Sequence, residues 1–212
     1  MRKTLTFLVL YFLGSNLCAQ SLGPREQIDS MFESIHTSTN DWLISLSIEQ
    51  AGTLYDSLGN NSTQTPEGTF LFFKVGRNHF LQKLQFEYID NSLGVKVMFG
   101  KRLSLFTDLN FDYSVDSILL ACKESIYPFV YKHDSDDVYN ILQPSDHEPY
   151  YTMHFKTAQE DGCDIPFTKT SLTESKSFIP YKNLNFLYNS KTFVYRAYLK
   201  LMGLVKINTR AF

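Results

Sequence analysis

The chain has three cysteines and no Cys-x-x-Cys pair among them, which removes the dithiol redox motif and the paired-thiolate zinc frameworks. It has no Gly-x-Gly-x-x-Gly and no phosphate-cradling glycine loop, so the common nucleotide-binding turns are absent. No Gly-x-Ser-x-Gly elbow occurs. There is no charge excess: 20 basic against 22 acidic residues argues against general nucleic-acid binding. Internal repeats and long low-complexity segments are lacking as well. No apolar run reaches the roughly 20 residues a membrane-spanning helix needs.

The N-terminus carries the clearest signal. Met1-Arg2-Lys3 is followed by an apolar stretch over residues 5–13 and then Gly14-Ser15-Asn16-Leu17-Cys18-Ala19. A basic start, a short apolar segment and a small residue before a cut compose a secretory signal peptide. The expected cleavage follows Ala19, so residues 1–19 are the signal and residues 20–212 a single α+β domain. A lipid anchor at Cys18 is disfavoured, because Leu17 stands where a small residue is wanted. An N-terminal helix kept within the fold is the other alternative. The expected location is periplasmic or extracellular, with no transmembrane span after signal removal.

Charge is distributed unevenly. Residues 103–164 hold three lysines and twelve acids, a net of −9; residues 165–212 hold eight basic residues and one acid, a net of +7. The favoured reading packs the basic tail against the acidic middle. The competing one offers a basic face to an anionic ligand or surface. Aromatic residues make up 15 % of the chain; rings on half-buried strands explain that number as well as a ring-lined cleft does.

Hydrophobic periodicity orders the elements. Pro24, Ile28, Met31, Phe32 and Ile35 read as a short amphipathic helix ending near His36. Trp42, Ile44, Leu46 and Ile48 alternate as a strand, with a helix as the rival. Residues 59–66 form a polar loop with acceptor sequons at Asn60 and Asn61. Thr69 to Val75 reads as a central strand, apolar on both faces. Phe80 to Tyr88 makes a second run, Val95 to Phe99 a third and Leu103 to Tyr113 a fourth, each set off by turns. Ser114 caps a helix with Val115, Leu119, Cys122 and Ile126 on one face, stopped by Pro128. A short helix starting at Ser135 places Val138, Ile141 and Leu142 inside. Tyr151, Met153 and Phe155 form a further strand. Residues 160–164 read as a turn, Leu184, Phe186 and Tyr188 as a short strand, and Val194 to Val205 as a terminal helix.

Together these predict an α+β fold in which a few helices pack an antiparallel β-meander sheet; a closed β-barrel with flanking helices is the alternative. The terminal helix has the stripe of a helix packed on a sheet. Its Arg196, Lys200 and Lys206 also suit an anionic membrane surface, the rarer use.

Candidate chemistry is sparse. His133, Asp134, Asp136 and Asp137 are the densest polar cluster and the weak candidates for a metal site, with Asp146, His147 and Glu148 able to add ligands. The competing account places the acids at a helix start, where they complement its dipole. Asp108, Asn110 and Asp112 have the opening spacing of a calcium loop, but Tyr113 replaces the glycine and Leu119 the bidentate glutamate. His147-Glu148 lacks the second histidine of a zinc-protease helix, and Pro149 breaks the helix. Cys122 and Cys163 are the two cysteines of the mature chain and form either a disulfide or two free thiols.

No catalytic residue and no cofactor is assigned. The expected function is a non-catalytic binding or structural module of the cell envelope or extracellular space, with an unidentified protein or small-molecule ligand and no nucleic-acid partner. A secreted hydrolase whose acids and histidines converge only in three dimensions is the alternative. The sequence leans away from an enzyme.

Overall fold

A computed structural model of the chain describes residues 23–49, 68–89, 94–105, 113–133, 138–143, 148–176 and 179–208. They fall into two compact units. The smaller holds residues 23–34, 86–89 and 94–98; the larger holds the remainder.

In the smaller unit, helix α1 (Pro24–Ile35) buries Ile28 and Phe32 at i, i+4 spacing. Proline at its first position suits a site whose N–H has no helical partner. The Gln27 side-chain oxygen accepts from the Val97 amide (2.9 Å).

The principal sheet contains β1 (Trp42–Glu49), β2 (Gly68–Val75), β3 (Asn78–Ile89), β4 (Gly94–Leu105), β7 (Tyr150–Thr157) and β8 (Cys163–Thr168), in the order β4-β3-β2-β1-β7-β8. It is antiparallel and open, not a closed barrel. Two-stranded sheets pair β5 (Val130–Lys132) with β6 (Tyr139–Ile141), and β9 (Ser175–Lys176) with β10 (Ile179–Lys182). Helix α2 (Val115–Ala121), a 3-10 turn (Thr170–Leu172), helix α3 (Phe186–Asn189) and helix α4 (Phe193–Asn208) complete the chain.

The alternation read in β1, β2 and β7 puts Trp42, Ile44, Leu46, Phe70, Phe72, Met153 and Phe155 on one face of the sheet. They form one core with Ile118 and Ala121 of α2 and with Val194, Ala197, Leu201 and Val205 of α4. Central strands with both faces buried read as nearly continuous apolar runs, which is why Phe70 to Phe73 has no polar side. Trp42 anchors the sheet's end: its ring meets Phe72 edge-on (5.0 Å), and Nε1–H donates to the Tyr113 carbonyl (2.8 Å). At the same end, buried Asp41 accepts from the amides of Thr37 (2.7 Å), Ser38 (2.9 Å) and Gly76 (2.8 Å), fastening the β2–β3 turn to the loop before β1.

Several expectations are corrected. Residues 106–112 of the fourth run lie outside the described residues; residues 95–99 and 103–105 are not two strands but one, since β4 passes through Gly100. A Cβ there would lie 2.7 Å from the Lys83 carbonyl oxygen, so Gly100 serves close strand approach, not chain reversal. Cys163 and Asp164 are not in a turn; they begin β8. Pro166 hides that strand in the sequence, and β8 is an edge strand, where proline is tolerated.

Helix α2 is capped by Ser114, which accepts from Ser117 N–H (3.1 Å), but it ends at Ala121 and buries Ile118 and Ala121. Residues 138–142 are not a helix: β6 occupies residues 139–141, with Val138, Tyr139 and Ile141 exposed. The alternation of Leu184, Phe186 and Tyr188 belongs to a turn and the single-turn helix α3, not to a strand. The sequons, the calcium-like segment 108–112 and residues 134–137 and 144–147 lie outside the described residues.

Candidate functional site: an exposed aromatic lobe

Residues 127–133, 138–142, 171–176 and 179–190 form a lobe built from very short elements. Polar side chains hold it together in place of long ladders. Asn189 is fully buried; its amide nitrogen donates to the carbonyls of Tyr127 (2.8 Å) and Ser171 (2.8 Å), and its oxygen accepts from the Tyr127 amide (3.1 Å). Asn183 donates to the carbonyls of Ser171 (3.2 Å) and Thr173 (3.1 Å) and accepts from the amides of Val130 (3.3 Å) and Asn185 (3.0 Å). Each asparagine supplies a donor and an acceptor where a strand neighbour would.

Glu148 is buried and takes hydrogen bonds from the Thr170 amide and hydroxyl, while Lys176 pairs with it at 3.1 Å. Lys176–Glu148 joins the basic tail to the acidic middle. Glu124 does so again, accepting from the Phe193 (2.9 Å) and Val194 (3.1 Å) amides at the α4 N-terminus, where a carboxylate is favoured. These contacts agree with the tail packing on the middle.

On this frame the rings cluster. Tyr131 of β5 and Tyr181 of β10 stack nearly parallel, 14° apart with centroids at 5.5 Å. His133 lies 4.3 Å from the Tyr181 ring, and its Nδ1 shares a 2.6 Å hydrogen bond with the Tyr181 hydroxyl. Tyr127 and Tyr188 meet edge-on at 5.0 Å. Much of the lobe's apolar surface is open to solvent: Leu187 is 67 % exposed, Tyr139 65 %, Ile141 56 % and Tyr188 51 %. Tyr139 and Ile141 share β6, and Leu187 and Tyr188 are neighbours on α3; apolar side chains exposed together mark contact surfaces more often than scattered single residues do.

The metal candidates are divided. His133 belongs to this ring cluster; Asp134, Asp136 and Asp137 lie outside the described residues. Among the described residues no three metal-ligating side chains converge. Cys122 and Cys163 stand at disulfide distance, Sγ to Sγ 2.08 Å, joining the end of α2 to the start of β8.

A second constellation was invisible in the sequence. Ser45, His154 and Asp164 occupy one cross-strand row on β1, β7 and β8. His154 Nδ1 bonds to Asp164 at 2.7 Å. The residue types are those of a nucleophilic triad, but the geometry differs. The other edge of the imidazole covers Gly162, where a Cβ would sit 2.2 Å from Cε1 and 2.6 Å from Nε2, and Ser45 is buried. The row is a packed joint between strands.

Burial raises the pKa of three core tyrosines. Tyr113 is pushed up to about 12 by desolvation, with Arg196 acting in the opposite sense. Tyr198 is raised further, by desolvation and then by Tyr151 beside it; Tyr151 is raised by desolvation. All three belong to the core or pack against it. No protein family, curated protein or solved structure matches the chain.

Proposed function

We propose that this chain is an exported, non-catalytic binding module whose contact surface is the aromatic lobe. One observation carries the reading: large apolar side chains that the core could bury are instead displayed on short elements fixed by buried asparagines. A surface held in this way keeps its shape before contact, which lowers the ordering cost of association. The sulfur pair at disulfide distance agrees with an oxidising compartment. Among the described residues no helix is long and apolar enough to cross a membrane.

The test compares wild type with a Leu187→Ser, Tyr188→Ser double variant as baits in the native envelope fraction. Partners retained by the wild type and lost by an equally stable variant are expected. Equal capture by both, or by neither, overturns the lobe's role. Export is checked separately by mass spectrometry of native material: an N-terminus at Gln20 is expected, and a retained Met1 in the cytosol contradicts it.

A further inference from the structure

Among the described residues, one edge of β6 has no partner strand. In the β5–β6 pair Tyr131 faces Asn140, and at the next bonded position the Leu142 amide donates to the Phe129 carbonyl (2.9 Å). Bonded and non-bonded pairs alternate along an antiparallel ladder. Tyr131 with Asn140 is therefore a bonded pair, and Asn140 turns both backbone groups toward β5. Tyr139 and Ile141 turn theirs away, toward a side where no strand lies among the described residues. The far edge of β5 is closed: the Val130 carbonyl accepts from Leu184 N–H (2.8 Å), and its amide donates to Asn183 (3.3 Å).

The two edges of the principal sheet are protected in ways that β6 is not. Edge strand β8 carries Pro166, and edge strand β4 carries exposed Lys101 and Arg102. Proline and charge are the usual devices against unwanted pairing. Residues 138–142 read Val-Tyr-Asn-Ile-Leu, with no charge and no proline, and Val138, Tyr139 and Ile141 are exposed.

We infer that this edge pairs with the same edge of a second copy of the chain, antiparallel about a two-fold axis at Asn140. The register is self-complementary. Tyr139 faces the partner's Ile141 in a bonded pair, Ile141 faces the partner's Tyr139 in another, and Asn140 faces the partner's Asn140. Each outward N–H and C=O of Tyr139 and Ile141 then finds a mate. Lys132, opposite Tyr139 on β5, is the charged side chain of this small sheet's described residues. The two-fold sets it on the outer strand, about 16 Å from the partner's Lys132 (three strand spacings across and two residues along), beyond the screening length of about 8 Å in physiological salt. Among the described residues apolar thus meets apolar with no like-charge contact, the condition an isologous interface requires.

Sedimentation equilibrium of the purified chain, from micromolar to near-millimolar concentration, tests the pairing. A mass rising from monomer toward dimer is expected. Ile141→Lys should weaken association at least about tenfold, because a charge at the edge opposes pairing. Leu199→Lys on exposed α4 should not weaken it. Asn140→Cys gives an independent readout: facing residues of a non-bonded pair have Cα atoms about 4.5 Å apart, within disulfide reach, so mild oxidation should link two copies. A monomer at every concentration overturns the inference. So does a dimer that Ile141→Lys leaves equally tight, or one that Asn140→Cys does not cross-link. A monomeric chain would leave the binding role of the Leu187–Tyr188 side standing.

Discussion

The principal sheet and the aromatic lobe use the same residue types in opposite ways. In the sheet, strands of six to twelve residues pair along much of their length, and Trp42, Phe72 and Phe155 disappear beneath α2 and α4. In the lobe, strands of two to four residues are tied by Asn183, Asn189 and Glu148, and Tyr139, Leu187 and Tyr188 face solvent. Apolar packing stabilises the first region; directed polar bonds shape the second. Aromatic content alone therefore says nothing about whether a ring supports the fold or meets a partner.

The strongest challenge to this contrast is to cut the link between α2 and β8. Cys122 and Cys163 are separated by 41 residues, and the loop they close contains β5 and β6. Replacing both by serine is expected to cost about 4 kcal/mol on the loop-entropy account, read from urea midpoints under non-reducing conditions. A loss below about 1 kcal/mol would mean that the lobe segment is ordered without the link.

A finer cut falls on the polar frame. Asn189→Ala removes three hydrogen bonds and leaves buried backbone groups of Tyr127 and Ser171 without them. The expected cost is about 2–3 kcal/mol, with faster hydrogen exchange at Tyr127 and little change in β1 or β2. Exchange rising equally in the sheet would show that the two regions unfold as one.

The same contrast explains what the sequence made legible. Period-two alternation located β1, β2, β3 and β7, because each is eight residues or longer and repeats the pattern several times. Beyond the sheet the signal failed for identifiable reasons. Leu184, Phe186 and Tyr188 alternate by chance across a turn whose shape is set by Asn183 and Asn189. Pro166 masked an edge strand, and the third and fourth runs hid one strand passing through Gly100, where close backbone approach demands glycine. Of the candidate site, His133 stood out in its polar cluster. Its actual neighbours, Tyr131 and Tyr181, depend on pairing between distant segments, which composition does not encode. The Ser45–His154–Asp164 row emerges only from strand register.

The smallest effects lie in the core tyrosines. Tyr113, Tyr151 and Tyr198 have raised folded-state pKa values, so the unfolded chain releases these protons first. Their contribution is fully present below the unfolded value of 10 and is lost as pH climbs through about 12 for Tyr113. Thermal midpoints should fall steadily above pH 10 and be insensitive to these groups below it. The Tyr113 hydroxyl is buried and has no hydrogen-bond partner among the described residues. Tyr113→Phe is therefore expected to raise stability by about 1 kcal/mol at neutral pH and to flatten the alkaline fall. Destabilisation by this variant would reveal a partner for that hydroxyl.

The decisive measurement takes one leucine from each region. Leu46 is 0 % exposed in the sheet and Leu187 is 67 % exposed in the lobe. In equilibrium urea unfolding, Leu46→Ala should cost about 3 kcal/mol, and Leu187→Ala should stay within about 0.5 kcal/mol of wild type. Comparable losses at both positions would contradict this division of labour, because the lobe's apolar residues would then be part of what holds the chain folded.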